Sequence, residues 1–165
     1  MASISTRGSP SRWLFAAALL TFGLQSPDAA AEPRFAISPD GAEVTDNQTG
    51  LIWRRCTEGQ TFASGNCTGT ALGLSHEAAL VHARSQAGWR LPNIKELASI
   101  VDRSRLSPSI DVAAFPSTVS WWYWSSSPQV GNSGNAGNAW SVYFDNGEVS
   151  NLTYRNFSGN VRLVR

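Results

Sequence analysis

GWRLPNIKELASIVD, residues 88–102, carries the strongest local structural signal of the chain. Asn93, with Glu96 three residues later, resembles a capping box, although the strict form begins with Ser or Thr. Apolar residues then recur at the spacing of one helix face; they are Ile94, Leu97, Ile100 and Val101. The pattern predicts a strand-like link at residues 89–91 and a helix from Asn93 to about Asp102.

A second helix is predicted upstream, from an N-cap at Ser75 to about Gln86. Gly88 follows it and is the typical residue just beyond a helix end. Its apolar side is formed by Ala78, Ala79, Leu80 and Ala83. The Gly-, Thr- and Ser-rich residues 56–74 before this helix indicate a long loop.

Strands are predicted before the first helix and after the second, where aromatic and β-branched residues lie between turn signals. The Asp145-Asn146-Gly147 sequence joins two of them as a hairpin turn. The predicted strands are residues 34–37, 44–49, 51–53, 121–126, 140–144, 148–154 and 161–165. Helices early in the chain and a meander of strands late in it indicate an α+β domain.

The first 31 residues have the layout of a secretory signal peptide. Two arginines precede the apolar run WLFAAALLTFGL at residues 13–24, and a small-x-small cleavage pattern ends at Ala31. A membrane anchor needs about 20 apolar residues, and this run is shorter. We therefore expect a signal peptide at 1–31, one domain at 32–165 without a membrane span, and a periplasmic or secreted location.

Cys56 and Cys67 are the two cysteines of the chain. In an exported protein, a pair of cysteines is expected to form a disulfide. The alternative is a metal or catalytic thiol, but the spacing does not match a zinc site. The pattern therefore predicts a disulfide that closes part of the loop at 56–74.

The charge of the expected domain is balanced. The leader takes two of the 13 Lys and Arg residues and one of the 12 Asp and Glu residues, which leaves 11 of each. Proteins that bind nucleic acid through bulk charge are markedly basic. The composition therefore gives no reason to expect a nucleic-acid partner.

The chain resembles the bacterial family of extracytoplasmic domains named for the C-terminal domain of the Legionella collagen-like protein. The resemblance covers about residues 34–165, and its segments are specific as a set although each is weak alone. In the family's order they are VTDNQTGLIW (44–53), GWRLPNIKELASIVD (88–102), YWSSS (123–127), AWSVYFDNG (139–147) and VRLVR (161–165).

The resemblance implies a C-type-lectin-like fold, with two helices packed on a small, twisted, mostly antiparallel sheet with long loops. It implies export, and some members of the family are linked to adhesion or surface binding. The WRLP segment is also similar to that of the formylglycine-generating enzymes, which have a related fold. Those enzymes depend on thiols late in the domain, whereas both cysteines here are early.

Candidate catalytic and metal-binding residues are few. His76 and His82 lie six residues apart on a predicted helix, about 120° around its axis, so they do not form a metal pair. The Asp145-Asn146-Gly147 turn has oxygens that suit calcium, but a shell of six to eight oxygens does not assemble from adjacent residues. No Gly-x-Ser-x-Gly motif is present. We expect no enzyme and no cofactor, with calcium left open.

An aromatic run at residues 121–124 is the main candidate for binding. In a strand, Trp122 and Trp124 share one face, and Trp124 is expected in the core. Trp121 and Tyr123 share the other face and are expected to be the more exposed pair. The next residues, 128–138, form a loop rich in asparagine, whose amides both donate and accept hydrogen bonds. The predicted ligand-binding residues are Trp121, Tyr123, Asn132, Asn135 and Asn138. The alternative is that all the aromatic rings pack inside and the loop is a linker.

The remaining residues of the resemblance are expected to be structural. Arg90 is expected to be partly buried and paired, with Glu96 as the candidate partner. The predicted core consists of Trp53, Trp89, Leu91, Leu97, Phe144, Val161 and Val164.

Three functions remain open from the sequence. The first is an exported binding module for glycans or a cell-surface partner. The second is a structural or accessory protein of the envelope or of a pilus-like assembly that makes protein contacts only. The third is a degenerate enzyme of the formylglycine-generating type. Ligand identity and oligomeric state do not follow from the residues.

Overall fold

The computed structural model describes residues 1–3, 32–130 and 137–165. Residues 32–165 form one compact unit. The predicted signal peptide falls outside the described residues except for its first three, and so do Asn132 and Asn135.

The two helices begin at the predicted caps. Helix α1 is His76–Ser85, and the Ser75 hydroxyl accepts the backbone N–H of Ala78 at 3.2 Å. Helix α2 is Ile94–Ser99, and its capping box is complete, with both the Asn93 and the Glu96 side chains accepting backbone N–H groups. Helix α2 is shorter than predicted because Val101 leaves the helix and forms a bridge with Ile110.

The strands form three small antiparallel sheets, not the one sheet that was expected. The first contains β1 (Phe35–Ile37), β2 (Glu43–Asp46) and β3 (Leu51–Arg54), and the second contains β4 (Thr61–Ala63) and β5 (Asn66–Thr68). The third contains β6 (Trp122–Pro128), β7 (Asn138–Tyr143) and β8 (Glu148–Tyr154).

The hairpin of β4 and β5 lies inside the predicted loop at 56–74. Its turn residues Ser64 and Gly65 both have positive φ angles, 51° and 85°, as a two-residue hairpin turn of type I′ requires. The predicted disulfide is confirmed: Cys56 and Cys67 are joined, with a Cα–Cα distance of 5.5 Å. The disulfide ties β5 back to the end of the first sheet.

The C-terminal segment 161–165 was predicted as a strand, and this prediction is wrong. Val164 instead forms isolated bridges to Trp53 on one side and to Arg90 on the other. Residues 161–164 are all buried, whereas a strand with one solvent face would bury alternate residues. The segment is enclosed because neighbours cover it on more than one side.

Two clusters of buried side chains form the core. Tyr123 belongs to the first cluster, with Leu97 and Phe144, and the next residue, Trp124, belongs to the second, with Leu91 and α1. Consecutive residues of a strand point to opposite faces, so both faces of β6 are covered at this point. The predicted core residues are buried, except Trp89, which is partly buried.

None of the helices in the described residues is long and apolar enough to cross a bilayer.

Candidate binding surface

A surface of aromatic side chains lies on the third sheet. Trp122 on β6 pairs with Tyr143 on β7, which places both side chains on the same face. Their rings stack at a centroid distance of 4.7 Å with 24° between the planes. The pair forms the floor of the surface, because both residues are only partly buried.

Three further aromatic residues extend this floor. Trp121 lies 6.0 Å from the ring of Tyr143 and 6.0 Å from that of Phe157, and its indole N–H donates to the Ser158 carbonyl at 3.2 Å. Tyr154, at the end of β8, is 68% exposed. We call these residues the aromatic surface: Trp121, Trp122, Tyr143, Tyr154 and Phe157.

A shallow cavity of about 280 Å³ lies on this surface. Trp122, Leu152 and Phe157 supply apolar atoms, while Glu148 and Ser150 add a carboxylate and a hydroxyl. Binding sites for small molecules typically combine apolar walls with a few polar groups that orient the ligand. The arrangement is therefore suited to a ligand that has both an apolar face and hydrogen-bonding groups.

Of the two aromatic residues predicted to be exposed, only Trp121 is, at 42%. The prediction for Tyr123 is wrong: its ring is fully buried, and its hydroxyl lies 2.7 Å from Thr57 Oγ1 and accepts the backbone N–H of Val119. The two were assigned to one face by strand alternation, but β6 begins only at Trp122. Alternation therefore does not extend to Trp121, which lies beside Tyr143.

Asn138 is also misplaced by the prediction. It is the first residue of β7 and is 4% exposed, since its strand pairs with β8 along this stretch. The structure thus does not bring Asn138 to the aromatic surface. Asn132 and Asn135 lie outside the described residues.

Trp122, Tyr143, Tyr154 and Phe157 were missed as surface residues. Ser150, Leu152 and Tyr154 alternate along β8 and line one cavity, and this period of two was visible in the sequence. Phe157 had no such signal, because it follows the strand in a turn. Only the packing of this turn against Trp121 places it on the surface.

A larger cleft of about 540 Å³ lies between the start of α1, β6 and residues 155–156. His76 lines it and is 4% exposed, and its ring Nε2 lies 3.0 Å from the Ser125 carbonyl. Nε2 therefore carries a proton, because a carbonyl oxygen only accepts. Arg155 lines the same cleft and donates from Nε to the Asn138 carbonyl.

Burial lowers the pKa of His76 below its ordinary value, and the nearby charge of Arg155 acts in the same direction. When the pH falls below the ordinary pKa of histidine, the unfolded chain binds more protons than the folded one. We expect the stabilisation by His76 to be complete above the ordinary pKa and to be lost as the pH falls from there through the lowered pKa of the folded protein. Urea unfolding of the wild type and His76→Phe at pH 7.5, 6.5 and 5.5 measures this. The free energy of unfolding of the wild type, relative to that of His76→Phe, should fall toward low pH. A difference between the two proteins that is independent of pH would contradict the prediction.

The turn considered for calcium uses its oxygens internally. Asp145 Oδ1 accepts the Ser107 hydroxyl at 2.6 Å, and Asn146 Oδ1 accepts the backbone N–H of Glu148 at 3.0 Å. Within residues 32–130 and 137–165, no three His, Cys, Asp or Glu side chains converge as metal ligands do. His76 and His82 have separate partners, since His82 lies 2.7 Å from Glu58.

The expected pairing of Arg90 with Glu96 is confirmed, but its side chain is exposed and not partly buried as expected. Both of its terminal nitrogens donate to the Glu96 carboxylate at 2.7 Å. The pKa of Glu96 is lowered, mainly by the hydrogen bonds from Arg90. Glu96 also accepts the backbone N–H of Asn93, so the pair holds the WRLP segment to the start of α2.

A comparison with known proteins tests the resemblance proposed from the five sequence segments. No match to the chain was found among curated proteins or among solved structures. A family model does match, and it confirms the resemblance. It is that of the Lcl C-terminal domain, it covers residues 42–165, and the chain therefore belongs to the Lcl C-terminal domain family.

Proposed function

We propose that residues 32–165 are an extracytoplasmic binding module whose aromatic surface binds carbohydrate. The observation that supports this most directly is the aromatic surface itself, in which Trp121, Tyr154 and Phe157 are exposed. Contiguous exposed apolar surface on a small domain marks a site of interaction. The expected signal peptide and the C-type-lectin-like fold are part of this proposal.

Carbohydrate is the ligand class that suits this surface. A sugar ring has a face of C–H groups, which packs on an aromatic plane, and an edge of hydroxyl groups, which need hydrogen-bond partners. Glu148 and Ser150 border the cavity and offer such partners. A purely apolar partner would leave the Glu148 carboxylate without a counterpart, at a cost in affinity.

We also propose that the module has no catalytic activity and needs no cofactor. The large cleft contains His76, but the hydroxyl of Ser75 there accepts the N–H of Ala78 as the cap of α1. His76 itself is held through Nε2 on the Ser125 carbonyl. Both groups therefore have structural partners in place of the nucleophile–base hydrogen bond that acyl-transfer enzymes use.

Trp121→Ala and Tyr154→Ala are expected to weaken glycan binding about tenfold each, because each removes an exposed ring worth about 1.4 kcal/mol. The measurement is a glycan array with oxidised residues 32–165, followed by titration of each positive glycan. The array is run with calcium and with a chelator, and the same glycans should bind in both.

Leu106→Ala is the matched control, since Leu106 is exposed but does not line the aromatic surface. It should bind like the wild type. An array without any binding would contradict the carbohydrate proposal and favour the alternative of protein contacts only. Binding that disappears with the chelator would show that calcium belongs in the site.

A further inference from the structure

Among the described residues that line the cavity on the aromatic surface, Glu148 is the only charged one. It is paired across β7 and β8 with Tyr143, which is paired in turn with Trp122 on β6. Residues in register on neighbouring strands share a face, so one row across the sheet contains a tryptophan, a tyrosine and a carboxylate. The carboxylate therefore lies at the edge of the stacked rings that form the floor of the surface.

Glu148 has no cationic partner in the described part of the chain. Strands β6, β7 and β8, with the turn at 144–147, contain two acidic residues, Asp145 and Glu148, and no Lys, Arg or His. The Arg103 side chain lies beside Gly147, but it forms no ion pair with Glu148. The sheet therefore presents an uncompensated negative charge next to the aromatic rings.

The rings of the aromatic surface also lack the arginine contacts that other rings of the domain have. Guanidinium groups lie over the rings of Phe35, Phe62, Trp89, Phe115 and Tyr123. No described cation lies in this way over a ring of the aromatic surface. The face of an aromatic ring attracts a cation, and the attraction is strongest for tryptophan. The open rings and Glu148 therefore attract the same kind of charge.

This arrangement distinguishes ligands by their charge. An anionic ligand would meet the Glu148 carboxylate as a like charge, and a neutral ligand gains only hydrogen bonds from it. A cationic ligand gains an ion pair with the carboxylate and a cation–π contact with a ring. A sugar with a free amino group has such a charge and keeps the C–H face that packs on an aromatic plane.

We propose that the aromatic surface selects carbohydrates that carry a free, protonated amino group, and that Glu148 determines this selectivity. The ammonium group binds the Glu148 carboxylate beside the Tyr143 and Trp122 rings, while the sugar ring packs on the exposed aromatic side chains. The proposal rests on the proposed function, because it names the class of carbohydrate that the same surface binds.

The test compares the β-1,4-linked trimers of glucosamine and of N-acetylglucosamine by calorimetric titration of oxidised residues 32–165. At pH 6 the glucosamine amine is protonated, and its trimer should bind about tenfold more tightly than the acetylated trimer. At pH 9 the amine is neutral, and this preference should disappear. A preference that is the same at both pH values would overturn the selectivity.

The two proposals fail in different ways. If the acetylated trimer binds at pH 6 as tightly as the glucosamine trimer, or more tightly, the selectivity is overturned and carbohydrate binding stands. If neither trimer binds, the selectivity is also overturned. Carbohydrate binding is overturned with it only when the glycan array shows no binding at all.

Glu148→Gln separates the charge of this side chain from its shape. Glutamine has nearly the same size and still forms hydrogen bonds, so the variant should fold like the wild type. At pH 6 the preference for the glucosamine trimer should fall from about tenfold to about threefold or less, because the ion pair is lost. A preference that stays at about tenfold would overturn the role of Glu148.

Glu77→Gln is the matched control. Glu77 is also exposed, but it lines the larger cleft at the start of α1 and not the cavity on the aromatic surface. The variant removes the same charge from the domain and should keep the full preference for the glucosamine trimer. If Glu77→Gln lowered the preference as much as Glu148→Gln does, the net charge of the domain would be the cause and the proposal would be overturned.

Discussion

Arg162→Ala is expected to lower the free energy of unfolding by about 4 kcal/mol. Arg162 is fully buried. Its Nη1 donates to the carbonyls of Arg54 and Arg55, and its Nη2 donates to the Thr118 hydroxyl at 2.8 Å. The variant would leave these acceptors unsatisfied inside the core.

The buried charge of Arg162 is stabilised without a carboxylate. Within the described residues Arg162 forms no ion pair with a carboxylate; its charge is stabilised by carbonyl dipoles and by the ring of Phe115, 4.8 Å from the guanidinium carbon. Burial lowers the pKa of Arg162, but an arginine stays protonated in proteins. Because Arg162 donates to the carbonyl of Arg54, its side chain joins the C-terminal segment to β3. Its removal also creates a cavity in the core.

Urea unfolding followed by tryptophan fluorescence measures the effect. Arg162→Lys keeps the charge, but its single ammonium group cannot reach both the backbone carbonyls and the Thr118 hydroxyl. Its stability should therefore lie between those of the wild type and Arg162→Ala. Arg103→Ala is the control, because Arg103 is exposed, and it should change stability by less than about 0.5 kcal/mol. A loss below about 1 kcal/mol in Arg162→Ala would contradict the structural role.

Removal of the disulfide, in the double variant Cys56→Ala and Cys67→Ala, is expected to cost about 3 kcal/mol. The two cysteines are separated by 11 positions, and opening this loop returns conformational entropy to the unfolded chain. The β4–β5 hairpin has only three residues in each strand, so its own pairing compensates little.

The same measurement can be made without mutation. Urea unfolding of the wild type in the presence of a reductant should coincide with that of the double variant. The amide signals of Gln60 and Phe62 should be affected most, since both lie in the closed segment. A double variant as stable as the oxidised wild type would show that the hairpin does not depend on the disulfide.

The elements that local chemistry specifies were predicted from the sequence. Ser75 and Asn93 cap their helices through their own side chains, and the strand 148–154 was predicted with its observed bounds. The hairpin of β4 and β5 was missed because three-residue strands give too short a pattern to distinguish from a loop.

The candidate site was predicted only in part. Trp121 was found, but Tyr123 and Asn138 are buried, and Phe157 was missed. Strand alternation states which residues share a face, but it does not state whether that face meets solvent. Tyr123 is buried partly because Thr57, which is distant in sequence, packs against it. The hydroxyl groups of the two residues lie side by side.

The sequence by itself determined the helix caps, the strands between residues 121 and 154, the disulfide and the family, because these depend on neighbouring residues or on motifs in a given order. Only the tertiary structure decided that Tyr123 and Asn138 are buried and that Phe157 is exposed. The segment VRLVR shows the reason: its alternation predicts one solvent face, yet Trp53 and Arg90 both bridge to Val164 and residues 161–164 are enclosed. Burial depends on which distant segments pack against a residue, and strand alternation alone does not specify that packing.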